Sequence, residues 1–221
     1  MRLLAFDTSS AAITAALHDG TTVLAQATEL GAQAHGELLA PTIDRVLRDA
    51  GVGVDDLTHV VVGVGPGPFT GLRVGLVTAR VMAEALGIEA HGLCSLDAVA
   101  AEALATGSVE GAFAVATDAR RKEVYLAAYD GEGGRRGEPG VVRPADVDAA
   151  IAAGPVAGAG AWLYPETFVD PREPRLVSAA WLATLAVACL AAGEALLDTA
   201  PMYLRRPDAV ESHARKRVTQ P

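Results

Sequence analysis

Two aspartates set the plan of this chain. Asp7 ends the apolar run Leu3-Leu4-Ala5-Phe6, and Asp118 ends the run from Ala112 to Thr117. Each is followed twelve residues later by the first residue of an Asp-Gly pair, Asp19-Gly20 and Asp130-Gly131. Asp-Gly favours a two-residue hairpin turn, because both positions tolerate positive φ. A strand and hairpin that recur at this interval favour two related α/β lobes over one large sheet. The boundary is placed near residue 107, giving lobes over 1–106 and 107–204 and a basic tail over 205–221.

In the first half, residues 2–7 suit a strand buried on both faces. Ala12–His18 alternates, with Ile13, Ala15 and Leu17 on one side and Thr14 and His18 on the other, and Thr21–Thr28 returns. Apolar positions at helical spacing predict a helix over His35–Ala50 that Gly51 stops, with Pro41 in its first turn or kinking it. A strand at His59–Val64, a helix at Phe69–Leu86, a short strand at Glu89–Leu93 and a helix at Leu96–Leu104 complete the order β-β-β-α-β-α-β-α. The second half reads as strands at Ala112–Thr117, Glu123–Tyr129 and Val141–Arg143, then a helix at Ala145–Ala152. A strand at Pro155–Ala157 and a long helix at Ala179–Ala192 follow.

Composition narrows the function classes. Of 221 residues, 51% are apolar and 20% charged, which excludes a disordered chain. Cys94 and Cys189, both in apolar runs, read as buried reduced thiols of a cytoplasmic protein. An acid at position 7 does not suit a signal peptide, and no apolar run approaches the ~18 residues of a membrane span. The formal net charge is −9. The last 17 residues hold five basic side chains against two acids, so the first 204 carry −12. Such a body repels a phosphate backbone, which disfavours tight unaided binding of nucleic acid.

The segment Gly63-Val64-Gly65-Pro66-Gly67-Pro68-Phe69-Thr70-Gly71-Leu72-Arg73-Val74-Gly75 joins a strand to a helix, where free N–H groups can cradle a phosphate. Two prolines remove donors and the P-loop lysine is missing, so a rigid turn with Thr70 as helix N-cap competes evenly with that reading. Arg73 in the first helical turn opposes the helix dipole and needs a partner, whether a phosphate, a carboxylate or another chain. The helix itself is apolar nearly all round: Val74, Leu76, Val77, Val81, Met82, Ala83, Ala85 and Leu86 cannot all face one core. It is sandwiched within its lobe or meets another subunit.

Asp7-Thr8-Ser9-Ser10 is either a polar turn or the wall of a nucleotide cleft, with Asp7 near Mg²⁺. Asp118 and Arg120, in a run of five charges, are a solvated turn or the opposite wall. The five histidines show no zinc-site spacing, no G-x-S-x-G elbow occurs, and neither cysteine has an electropositive niche.

These segments have a familiar order. Phe6-Asp7-Thr8-Ser9-Ser10, His35-Gly36-Glu37-Leu38-Leu39-Ala40-Pro41, the glycine-proline loop Gly65–Gly75, and Asp118-Ala119-Arg120 with Glu123-Val124-Tyr125 follow one another. With Gly158-Ala159-Gly160 and Pro201-Met202-Tyr203-Leu204-Arg205, the chain resembles the bacterial TsaB (YeaZ) family over essentially its whole length. The resemblance implies a two-lobed, actin-like α/β fold of the sugar kinase and Hsp70 type. It implies a non-catalytic partner that dimerises with and activates TsaD in making threonylcarbamoyladenosine next to the anticodon of tRNAs reading codons that begin with A. TsaE joins that assembly, tRNA is met mainly through it, and the isolated chain is expected as a homodimer.

By the same resemblance the partner face lies on the first two helices, at His35, Glu37, Leu39, Ile43, Val46, Leu47, Leu72, Arg73, Leu76, Val77, Arg80 and Val81. Candidate nucleotide or cleft residues are Asp7, Thr8, Ser9, Gly65, Gly67, Thr70, Asp118 and Arg120, for ATP or ADP with Mg²⁺ at the joint with TsaD. No metal site is expected, since Leu93-Cys94-Ser95-Leu96-Asp97 stands where TsaD carries its metal-binding histidines. An autonomous ATPase or kinase of the same fold is the alternative.

Overall fold

The computed structural model describes residues 1–31 and 34–205, so the basic tail lies outside the described residues from 206 onward. Among the described residues ten strands form two five-stranded sheets. The first contains β1 (Leu3–Asp7), β2 (Ala12–His18), β3 (Val23–Leu30), β4 (His59–Gly63) and β5 (Glu89–Leu93), in the order β3-β2-β1-β4-β5. The second contains β6 (Phe113–Asp118), β7 (Val124–Tyr129), β8 (Gly140–Val142), β9 (Pro155–Ala157) and β10 (Asp170–Arg172), in the order β10-β9-β6-β7-β8. In each sheet the first three strands form an antiparallel meander and the last two add in parallel on its other side. The second sheet thus repeats the first with β6 in place of β1, as the paired aspartates predict.

The described residues also form six α-helices: α1 (His35–Ala50), α2 (Phe69–Leu86), α3 (Ser95–Ala105), α4 (Ala149–Ala152), α5 (Ala159–Leu163) and α6 (Ala179–Ala192). α1 and α2 cover one face of the first sheet, where Leu4, Phe6, Ile13, Leu39, Val46, Leu72 and Leu76 form a core. On its other face, Leu3, Ala5 and Val61 meet Leu96 and Val99 of α3 and Leu182 and Ala186 of α6. The same core continues to Val115, Tyr125 and Tyr129 of the second sheet. α4 and α5 close the far side around Phe168. Five layers result, with α3 and α6 shared between the sheets. α6 follows the whole second sheet in sequence yet packs mainly on β2 and β1. Its first N–H, that of Ala179, donates to Thr14 Oγ1 across 3.2 Å, which explains a polar side chain buried on the second face of β2.

Several expectations are corrected. The Asp19-Gly20 connection is a four-residue loop closed by the Asp19 N–H on the Thr22 carbonyl, 3.1 Å, and the returning strand begins at Val23. Pro41 lies inside α1, past its first turn, so of the two placements expected for it the first-turn one does not hold. The expected helix over Ala145–Ala152 is a 3₁₀ turn at Pro144–Asp146 followed by the single turn α4, because Pro144 starts the first and Asp148 caps the second. α5 and β10 are not predicted by the sequence pattern. β10 is a polar edge strand holding Pro171, where the hydrophobic signal of a strand is weakest. Cys94 is buried, its thiol pushed up to about 12 by desolvation, whereas Cys189 is only half-buried.

Candidate docking face and interlobe cleft

β1 carries Asp7 to the centre of the molecule. Its carboxylate is buried, and both oxygens are used within the chain. Oδ1 accepts from the Ser9 N–H (2.7 Å) and the Ser9 hydroxyl (2.8 Å), and Oδ2 accepts from the Ser95 hydroxyl at the start of α3 (2.5 Å). Burial raises the Asp7 pKa, opposed first by the Ser95 hydrogen bond. Gly63 is obligatory beside it, since a Cβ there would stand 1.7 Å from Asp7 Oδ2. Asp7 therefore acts as a knot between β1, β4 and α3, with both of its oxygens engaged by Ser9 and Ser95.

The glycine-proline loop wraps this knot. A Cβ on Gly67 would come within 2.2 Å of the Ser9 carbonyl, so the loop lies flat against Thr8–Ser10 instead of opening as a cradle. Thr8 Oγ1 donates to the Gly71 carbonyl (2.8 Å) and accepts from the Gly75 N–H (3.1 Å). Gly65 donates to Ser95 Oγ, 3.2 Å. Pro68, with φ preset at −58°, occupies the N-cap position expected for Thr70, which is instead exposed in the first turn. These contacts realise the rigid-turn reading.

Asp118 and Arg120 lie across from Ser9 and Ser10. Together with Pro68, Leu163, Arg175 and Val177 they line an interlobe cleft of about 270 Å³, just below the usual volume of a small-molecule site. Asp118 accepts from the Arg120 N–H (2.7 Å) and pairs with its guanidinium (3.0 Å). Among the described residues no group of three or more His, Cys, Asp or Glu is placed to hold a metal ion.

The residues expected at a partner face divide into two sets. Leu39, Ile43, Val46, Leu47, Leu72 and Leu76 are buried in the chain's own first core, because the helical stripe they form is the one that faces the sheet. They offer no surface to a partner. His35 is also inward: its Nε2 donates to the Ser10 carbonyl (2.8 Å), anchoring the start of α1 to the Asp7 segment. Glu37, Arg73, Val77, Arg80 and Val81 are exposed, Val77 at 57% and Val81 at 61%, with Phe69 at 45% on the same row of α2. α2 is thus not sandwiched. One side serves the core and the other leaves an apolar row in solvent.

Residues 197–205 frame that row. Leu197 pairs with Gly92 at the edge of the first sheet, and the Met202 N–H donates to the Val64 carbonyl, 2.8 Å. Arg80 donates to Thr199 Oγ1 (2.9 Å) and its carbonyl (2.5 Å), and Arg73 donates to the Tyr203 hydroxyl (2.8 Å). Arg73 also lies 3.7 Å over the Phe69 ring, which stacks on Tyr203 at 5.2 Å. The partner Arg73 needs is therefore a pair of aromatic rings, none of the three expected classes. Sequence pattern does not mark Thr199 or Ser95 as site residues. Ser95 donates to Asp7, 88 positions away, and Thr199 accepts from Arg80, 119 positions away, beyond the reach of local pattern.

The protein-family model described as "TsaD: tRNA N6-adenosine threonylcarbamoyltransferase" matches residues 23–168. An uncharacterized protein of Mycobacterium tuberculosis is 43% identical over 94% of this chain and 93% of its own length. The Escherichia coli protein named tRNA threonylcarbamoyladenosine biosynthesis protein TsaB is 32% identical over 68% of this chain and 62% of its own. The solved structure of YeaZ from Pseudomonas aeruginosa superposes with a TM-score of 0.77 at 33% identity, covering 92% of this chain and 99% of that one. With the duplicated sheets, the packed glycine-proline loop and these relatives together, the chain belongs to the TsaB (YeaZ) family.

Proposed function

We propose that this protein is a non-catalytic subunit that docks on TsaD through α2 and activates threonylcarbamoyl transfer to the adenosine next to the anticodon of tRNAs reading codons that begin with A. The observation that carries this reading is the exposed row Phe69, Val77 and Val81, flanked by Arg73 and Arg80, on a helix whose other side is fully used by the core. A solvent-facing apolar row with two oriented cations matches a helical partner with an apolar centre and carboxylates at its margin. The same face would pair two copies of the chain when TsaD is absent. TsaE joins the assembly through TsaD in this reading, and the cytoplasm, where tRNA is modified, is the compartment it requires. Among the described residues no helix is long and apolar enough to cross a membrane.

An autonomous ATPase has less support. It would need Asp7 to leave Ser9 and Ser95 before meeting Mg²⁺. ATP or ADP at the joint with TsaD is left to Asp118 and Arg120, and no chemical step is assigned to it.

The deciding experiment is threonylcarbamoylation of unmodified tRNA by TsaC, TsaD and TsaE, with this protein added or omitted. Activity that depends on the added chain, survives Asp7→Asn and is lost with Val77→Glu/Val81→Glu supports the reading. Activity independent of the added chain overturns it.

A further inference from the structure

Residues 197–205 run as a strap from the edge of the first sheet to the second sheet. At the near end Gly92 and Leu197 exchange both backbone hydrogen bonds, the Gly92 N–H on the Leu197 carbonyl (2.7 Å) and the Leu197 N–H on the Gly92 carbonyl (3.1 Å). The approach requires glycine, since a Cβ on Gly92 would stand 2.2 Å from the Asp198 carbonyl oxygen and 2.4 Å from Val64 Cγ1. Covering an exposed strand edge is use enough for such a contact, and a mere edge cover could stop there. This one continues: the Met202 side chain packs against the cores on both faces of the first sheet, and Leu204 packs against the core shared with the second.

Arg205 is the far anchor. Its guanidinium pairs with Glu123 and donates to the Ala119 carbonyl (3.3 Å), both in the connection from β6 to β7. The two side chains are each only 25% exposed. Deleting one member of a charge pair held this far from water leaves the other without a partner, so such a pair holds its ends together firmly. Between the anchors the strap spends its polar groups on the two exposed cations of α2. Thr199 accepts from Arg80 Nε, and the Tyr203 hydroxyl accepts from Arg73 Nε. A free arginine side chain loses rotamer entropy when a partner orders it, and a side chain ordered beforehand does not.

We propose that the strap is a latch that pre-orients Arg73 and Arg80 for the docking partner, with Arg205 and Glu123 as positioning residues, so that the second sheet sets the geometry of a docking helix packed on the first. This rests on the functional reading above and adds its control. Asp118 and Arg120, which line the cleft, belong to the same β6–β7 connection as the Arg205 anchor. Movement of that connection therefore reaches α2 through the strap, and docking acts back on it by the same route.

The test uses the full chain, alone and with TsaD, as wild type, Glu123→Gln, Arg205→Ala and the exchanged pair Arg205→Glu/Glu123→Arg. Three quantities are read: hydrogen exchange of the Leu197 and Met202 amides, the Nε–H resonances of Arg73 and Arg80, and TsaD affinity by isothermal titration. In both single variants the strap amides should exchange about five- to thirtyfold faster, while those of β1 and β4 stay protected. The two Nε–H signals should move toward those of solvated arginine, and TsaD affinity should fall about three- to tenfold. The exchanged pair should recover much of all three. Faster strap exchange with full TsaD affinity would overturn the proposal. So would weaker affinity in Arg205→Ala with strap exchange unchanged, which would make Arg205 a direct contact. If the wild-type chain fails to assemble with TsaD, the docking reading falls by itself. The latch is then judged on the isolated chain, where Glu123→Gln must release the Arg73 and Arg80 signals.

Discussion

Arg73 donates from Nε to the Tyr203 hydroxyl across 2.8 Å while its guanidinium covers the Phe69 ring. A residue from near the end of the described chain thereby fixes a cation at the start of α2, 130 positions away. The contact overrides the helix dipole, which disfavours a positive charge there.

Tyr203→Phe keeps the ring stack and deletes only the hydroxyl. Because the site is solvent-exposed, the loss in folding stability should stay at about 1 kcal/mol or below, a melting shift of about 2–4 °C at most. Affinity for TsaD should fall further, by about three- to tenfold, since Arg73 is no longer held along the docking row. Isothermal titration alongside a thermal melt separates the two effects, and equal affinity for both forms would remove Tyr203 from the docking face.

The two sides of α2 should respond in opposite ways. Val77→Glu and Val81→Glu replace exposed side chains, so stability should change by about 0.5 kcal/mol or less while TsaD association is lost. Leu76→Ala, one residue away but 3% exposed, should cost about 2–5 kcal/mol and leave the affinity of the folded fraction intact. Chemical denaturation and co-elution with TsaD check both. Val77→Glu that binds TsaD normally would move the docking face elsewhere.

Much of this arrangement is legible in the residues, and the rest fails for identifiable reasons. The duplicated sheet follows from Asp7 and Asp118 because β1 and β6 are buried on both faces and end at the same topological point. α1, α2, β5, β9 and α6 are bounded as expected, each flanked by a glycine or proline stop or by strong periodicity. Which face of α2 meets the sheet is not readable from composition, since Leu76 and Val77 are equally apolar and only packing against β4 distinguishes them. The glycine-proline loop reads equally as cradle or turn until the Ser9 carbonyl is seen against Gly67. Arg80 and Thr199, 119 positions apart, leave no local signature at all.

Gly63→Ala tests the knot beneath the loop. Its Cβ would fall 1.7 Å from Asp7 Oδ2 and 2.7 Å from Ser95 Oγ, so β4 or Asp7 must move. A loss of about 3 kcal/mol is expected, large enough to depress soluble yield. Adding Asp7→Ala removes the obstructing carboxylate, and the double variant should be more stable than Gly63→Ala alone, a coupling that independent sites do not show. Purely additive effects in urea denaturation would mean that the two positions do not conflict.

Asp7→Asn gives the last prediction, through its pH dependence. Burial raises the carboxyl pKa in the folded chain above the ordinary value of 3.8, so between those two values the folded state holds a proton that the unfolded state has lost. The stability this group contributes is present below the unfolded value and lost as pH rises through the folded one. Asparagine cannot titrate. Its Oδ1 can still accept from the Ser9 N–H and hydroxyl, and its Nδ2 can donate to Ser95 Oγ after that hydroxyl turns. Wild type and variant should therefore diverge as pH rises above 3.8, until the folded carboxyl has ionised, with the variant gaining relative stability. Urea denaturation at several pH values measures the difference directly. A gap that narrows with rising pH would mean that the folded state favours the ionised carboxylate, with Ser9 and Ser95 outweighing burial.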